Sequence, residues 1–154
     1  MQAHIYRAIH AGLAASAMVA ALTLTGCSVL QTNPELAAFS AQMTRANLVP
    51  PVATVASGRL YAVLYKDSYL LRWKLTYSGL KGAATAIDFH GPAPIGTNAA
   101  SVLAVKGPLQ TPAQGQATLS PTQATDLLAG KWYVTVRTAA RPKGEIRGQM
   151  ILQE

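Results

Sequence analysis

Between Tyr69 and Ser78 the chain alternates strictly. Leu71, Trp73, Leu75 and Tyr77 fall on one parity, and Leu70, Arg72, Lys74 and Thr76 on the other. A strand sends successive side chains to opposite faces, so this segment reads as a strand with one buried and one solvated face. Gly58–Tyr65 repeats the pattern, and Lys66-Asp67-Ser68 between them suits a hairpin turn. Further strands are expected over Leu36–Thr44, Ala83–His90, Ser101–Val105, Gln116–Leu119, Lys131–Thr138 and Gly144–Leu152, separated by stretches rich in Gly, Pro, Asn and Ser. Pro50-Pro51 and Gly91–Gly96 read as loops. So many short strands predict an all-β antiparallel sandwich or barrel. One stretch departs from the period. Ser120-Pro121-Thr122-Gln123 combines a cap residue, a first-turn proline and a capping-box glutamine, Leu127 and Leu128 supply an apolar side, and Gly130 stands where a helix stops. One helix of about two turns follows from that.

The first residues have a different character. Arg7, His4 and His10 give a weakly basic start to an uncharged Ala- and Leu-rich run from Ala11 to Leu24. That is a signal-peptide layout, and the run is shorter than the roughly 20 residues a membrane-spanning helix needs. Leu24-Thr25-Gly26-Cys27 then resembles the lipobox of bacterial lipoproteins: an apolar residue, two small ones and the sole cysteine of the chain. A lone cysteine forms no intrachain disulfide. Its place directly after the apolar run predicts cleavage before Cys27 and lipidation of its thiol, and several acyl chains give stable anchoring. Ser28 follows where inner-membrane retention would want Asp, which by resemblance to Gram-negative lipoproteins implies the outer membrane. The expected organisation is a signal peptide over residues 1–26, a lipidated spacer over 27–34 and one domain over 35–154.

The whole sequence has a formal charge of +7, and Arg7 is the only charged residue ahead of Cys27. The mature domain therefore stays basic, which favours acidic partners in principle. The basic residues are spread along the chain, so a solvated surface is the expectation. An envelope location excludes nucleic acid as the partner.

Three phrases stand in order on the strand framework. They are Asn47-Leu48-Val49-Pro50-Pro51-Val52 with Ala56-Ser57-Gly58; Ala86-Ile87-Asp88-Phe89-His90-Gly91-Pro92-Ala93; and Leu127–Gly130 followed by Tyr133–Thr138 and Pro142-Lys143-Gly144-Glu145-Ile146-Arg147-Gly148-Gln149. Together they resemble the CHRD domain, named after chordin, over roughly Leu36 to Leu152. The resemblance implies an antiparallel Greek-key-like β-sandwich with one short helix. It also exposes a departure: where relatives commonly place three histidines, this chain has Asp88, His90 and Arg137.

Asp88 and His90 stand two apart on one strand and share a face, a good start for a copper or zinc site. Asp88 and His90 are thus the candidate metal ligands. His90 is the only histidine after Cys27, however, and Arg137 would bring positive charge toward the ion. The preferred expectation is an Asp88–Arg137 ion pair with His90 beside it and no cofactor. No motif places a base and an orienting acid around one hydroxyl, so an enzyme is not expected. Glu145 and Arg147 also share a face and read as a cross-strand salt-bridge ladder or a surface site. Trp73, Trp132, Tyr61, Tyr65, Tyr69, Tyr77 and Tyr133 read mainly as core or sheet-edge packing, and Arg141-Pro142-Lys143 as a solvated basic turn. The function expected is a membrane-anchored, non-enzymatic module of the cell envelope that binds an envelope protein or glycan. A periplasmic copper-type metal-binding domain is the alternative.

Overall fold

The computed structural model describes residues 33–154. The expected leader, the lipidated Cys27 and most of the spacer lie outside the described residues. Thr32–Glu154 forms one compact unit. Its elements are β1 (Leu36–Thr44), a single 3-10 turn (Arg45–Asn47), β2 (Ser57–Tyr65), β3 (Leu70–Ser78), β4 (Ala84–His90), β5 (Ser101–Ala104), β6 (Ala113–Thr118), α1 (Pro121–Leu128), β7 (Tyr133–Thr138), β8 (Arg141–Gln149) and β9 (Ile151–Leu152).

The strands form one antiparallel sheet in the order β5-β4-β7-β8-β1-β2-β3-β6, with β9 on β1. The sheet folds over at β1. On one side β1 pairs with β2 along its whole length, from Leu36 opposite Tyr65 to Thr44 opposite Ser57. On the other it meets β8 only at Thr44 opposite Arg147, and β9 at Phe39 and Ser40. The two halves close into layers. Trp73 of β3 meets Phe89 of β4 edge-on with centroids 5.1 Å apart, although five strand pairings separate β3 from β4 along the sheet, and Trp132 extends the contact. The chain crosses between layers after β3, after β5 and through α1, which makes the connectivity Greek-key-like. The core is Leu60, Leu64, Leu71, Leu75, Ile87, Phe89, Trp132, Val134, Val136 and Ile146 with their neighbours. Each large apolar side chain so buried contributes about 1.5–3 kcal/mol.

Alternation in β3 is as expected, with Leu71, Trp73 and Leu75 buried and Arg72, Lys74 and Thr76 exposed. The helix also follows its signals. Ser120 Oγ accepts from the Gln123 amide, and Gln123 Oε1 accepts from the Ser120 amide at 2.8 Å. At its other end Gly130 takes φ +70°, with Gly130 N–H donating to Leu127 O and Lys131 N–H to Asp126 O, a Schellman stop. Ala124 and Leu127 face the core.

Two expectations are corrected. The last strand is not one run: it begins at Arg141, so Arg141-Pro142-Lys143 is strand and the turn falls on Ala139-Ala140. It then breaks at Met150, whose amide donates to Trp132 O while its side chain is buried. That break lets the chain leave β7 as β8 and reach β1 as β9. β6 begins at Ala113, earlier than its composition suggests. It contains Gly115, where a Cβ would lie 2.6 Å from the Trp73 ring, so packing forces a poor strand former into the strand.

Candidate functional site

Strand register gathers the polar candidates on the outer face of β4, β7 and β8. Asp88 stands opposite Thr135, which stands opposite Arg147; His90 stands opposite Tyr133, which stands opposite Gln149. Residues directly paired across strands point to one face. Arg137 donates to Asp88 Oδ2, an ion pair in which Asp88 is 4% exposed while the Arg137 side chain is 38% exposed. With one partner that open to water, the pair contributes about 0–1 kcal/mol.

His90 has both ring nitrogens occupied. Nδ1 lies 3.1 Å from Ala99 O, and Nε2 lies 3.0 Å from Thr135 Oγ1. A carbonyl only accepts, so in the neutral ring Nδ1 carries the proton and Nε2 accepts from the Thr135 hydroxyl. Burial lowers the His90 pKa and prevails; the Ala99 carbonyl and the Asp88 charge pull it up, while Arg137 and Arg147 add to the lowering. The ring stacks on Tyr133 at 4.8 Å and 3°. Tyr133 OH in turn donates to Ala99 O and accepts from Ala99 N.

Arg147 is 2% exposed and meets no carboxylate among the described residues. Its guanidinium carbon lies 3.5 Å from the Tyr133 ring centroid, and it donates to Asn98 Oδ1 at 3.0 Å and Thr97 O at 2.7 Å. Burial pushes its pKa down, against a smaller rise from Tyr133. Glu145 is wholly buried. It accepts from Thr54 Oγ1 (2.7 Å), Thr138 Oγ1 (2.7 Å) and the Lys81 amide (2.9 Å). Burial alone would raise its pKa, but these three donors and the Arg141 charge outweigh it and hold the carboxyl below its ordinary value.

Glu145 and Arg147 are therefore both buried and form no salt-bridge ladder. The register shifts between Val136 and Thr138, which displaces Glu145 from the pairing that continues through Arg147. Each serves a different loop. The whole Gly144–Gln149 phrase is explained in this way. Gly144 takes φ +132°, where side chains are strained. Ile146 enters the core. A Cβ on Gly148 would lie 2.9 Å from the Gln42 carbonyl. Gln149 Nε2 donates to Gly130 O and Ala93 O.

Asp88, His90 and Arg137 are thus brought together, with Arg147 on the same face and Glu145 apart. Among the described residues no three His, Cys, Asp or Glu side chains gather where one ion could be held. Thr135, Asn98, Thr54 and Thr138 were invisible to sequence reasoning, because hydroxyls and amides carry no pattern until register places them. The basic residues are also less dispersed than the sequence suggests. Arg59, Arg72 and Lys74 come together on the outer face of β2 and β3, where Tyr61 is 53% exposed instead of packed.

No curated protein and no solved structure matches the chain. The model of the CHRD domain family matches residues 39–150, from β1 to the break at Met150. That span contains most of β1, all of β2 to β8, the Thr97–Ala99 segment held by His90, Tyr133 and Arg147, and the Gly144–Gln149 phrase, and the chain belongs to the CHRD domain family.

Proposed function

We propose that this chain is a lipoprotein of the cell envelope, anchored in the outer membrane through Cys27, whose CHRD domain is a non-enzymatic interaction module for an envelope protein or glycan. The observation that carries the reading is the state of the only imidazole in the domain: both nitrogens of His90 are spent on Ala99 and Thr135. Asp88 and Glu145 are likewise occupied, by Arg137 and by buried donors. These three groups hold loops and strands, while the open surface lies elsewhere.

Crosslinking in intact envelopes tests the role, and recovery of a specific partner is the expected result. Cys27→Ser tests the anchor: the protein is expected in the soluble fraction or unprocessed, and unchanged membrane association would count against lipidation. The copper-type alternative requires Nε2 of His90 to release Thr135. Calorimetric titration with copper or zinc is expected to show no sub-micromolar site. Binding at that strength, lost in His90→Ala, would overturn the interaction reading in favour of metal handling.

A further inference from the structure

Among the described residues, the outer face of β1, β2, β3 and β6 carries three exposed cations and no carboxylate. Lys74 stands opposite Tyr61, Arg59 opposite Thr76, and Arg72 between Val63 and Gln116. Neutral partners hold the guanidinium groups along the sheet. Arg59 donates to Gln42 Oε1 at 2.8 Å and to Tyr61 OH at 3.0 Å; Arg72 donates to Gln116 Oε1 at 3.1 Å and lies 5.4 Å from the Tyr65 ring. None of the three meets a carboxylate among the described residues.

Two shallow depressions follow one another along these strands. One of about 360 Å³ lies around Arg59 and Thr76, and one of about 240 Å³ is bounded by Tyr61, Val63, Arg72 and Lys74. From Ser57 to Val63 they extend roughly 20 Å, at about 3.3 Å per strand residue. An open trough with fixed positive charge, one exposed aromatic ring and flanking amides suits a polymer that is acidic, hydroxylated and able to stack.

We infer that this face binds an acidic polysaccharide, with its carboxylates on Arg59, Arg72 and Lys74 and the C–H face of a sugar ring on Tyr61. The inference rests on the interaction-module reading and names the class of partner. A protein interface is built around a close-packed apolar centre, whereas this face is a shallow polar trough with three cations along it. A membrane-seated face would present several large apolar side chains, and here the exposed ones are Tyr61, at 53%, and Leu36 at the far end of β1. Gln42, Gln114 and Gln116 flank the trough with amides that match hydroxyl groups.

The test is calorimetric titration of the full-length protein in detergent with polygalacturonate at low ionic strength, beside neutral dextran, dextran sulfate and phosphatidylglycerol vesicles. Saturable binding of polygalacturonate that weakens with added salt, and none of dextran, is expected. Arg72→Gln with Lys74→Gln is expected to weaken it roughly tenfold or more, and Tyr61→Ala roughly fivefold. Both variants change only exposed side chains, so the fold is retained. Absence of binding overturns the inference. So does equal binding of dextran sulfate with no effect of Tyr61→Ala, which is unspecific attraction to polyanions, or binding of vesicles alone. A protein crosslinked at this face in the envelope would remove the glycan and leave the interaction module standing. Failure of Cys27→Ser to release the chain bears only on the anchor.

Discussion

A carboxylate enclosed by two hydroxyls and a backbone amide, all donors, is well placed only while it is ionised, and Glu145 is in that position. Its folded pKa lies below the ordinary 4.5, so its contribution to stability is complete above that value and is lost as the pH falls through the folded one. Glu145→Gln removes the charge and, with Oε1 kept for Thr54 and Lys81, replaces the second acceptor by an NH₂ group that forces the Thr138 hydroxyl to accept instead of donate. The variant is expected to lose about 1–3 kcal/mol in denaturant unfolding at neutral pH. The deficit relative to the parent is expected to shrink as the pH falls through the folded pKa of Glu145, and a deficit that stays constant with pH would assign the cost to shape alone. His90 acts in a higher window. Its folded pKa is below 6.5, so the unfolded chain binds more protons there and stability declines as the pH drops from 6.5 toward the folded value. His90→Gln is expected to remove that first decline from the pH profile.

At the scale of elements, β8 shows what binds the two layers at their fold. Gly148 passes so close to β1 that an added Cβ would lie 2.9 Å from Gln42 O and 3.1 Å from Ala41 Cβ. The nearest obstacle is backbone, which cannot swing away, so Gly148→Ala is expected to cost about 1–3 kcal/mol, read as a fall in Tm. The capping box of α1 offers a milder test: Ser120→Ala removes the acceptor for the Gln123 amide and is expected to cost about 1 kcal/mol. These elements differ in how far they were legible. Alternation displayed β3 because each side chain there obeys its own face, and the cap residues displayed α1 because local hydrogen bonds decide a helix end. β6 was partly hidden, since Gly115 answers to the Trp73 ring across the sheet and not to strand propensity. The break at Met150 was hidden as well, because it depends on which neighbour the strand meets next. The pairing of Asp88 with Arg137 was legible only through the family resemblance, since it rests on the register of β4 against β7, which no single segment specifies.

Across the whole domain the two outer faces have opposite fates. The face of β4, β7 and β8 lies under the loop between β4 and β5, tied down at Ala99 by His90 and Tyr133 and at Thr97 and Asn98 by Arg147. Among the described residues the face of β1, β2, β3 and β6 has no such cover, and its guanidinium groups meet neutral side chains. Covering one face concentrates the polar residues on structure, and leaving the other bare concentrates charge in solvent. If that division holds, disturbing the covered face should not reach the bare one. Arg147→Lys keeps the charge but replaces a planar donor fork, stacked on Tyr133, with a single ammonium. Hydrogen exchange of the variant is expected to show faster exchange at the Ala99 amide, which depends on Tyr133 OH, and at Gly91, bonded to Ala100 O. Amides of the β2–β3 ladder are expected to keep their protection, since the Arg147 guanidinium contacts Tyr133, Thr97 and Asn98, none of which lies in β2 or β3. Loss of protection in both regions together would mean that the layers open as one cooperative unit and that the pinned loop is not separable from the fold.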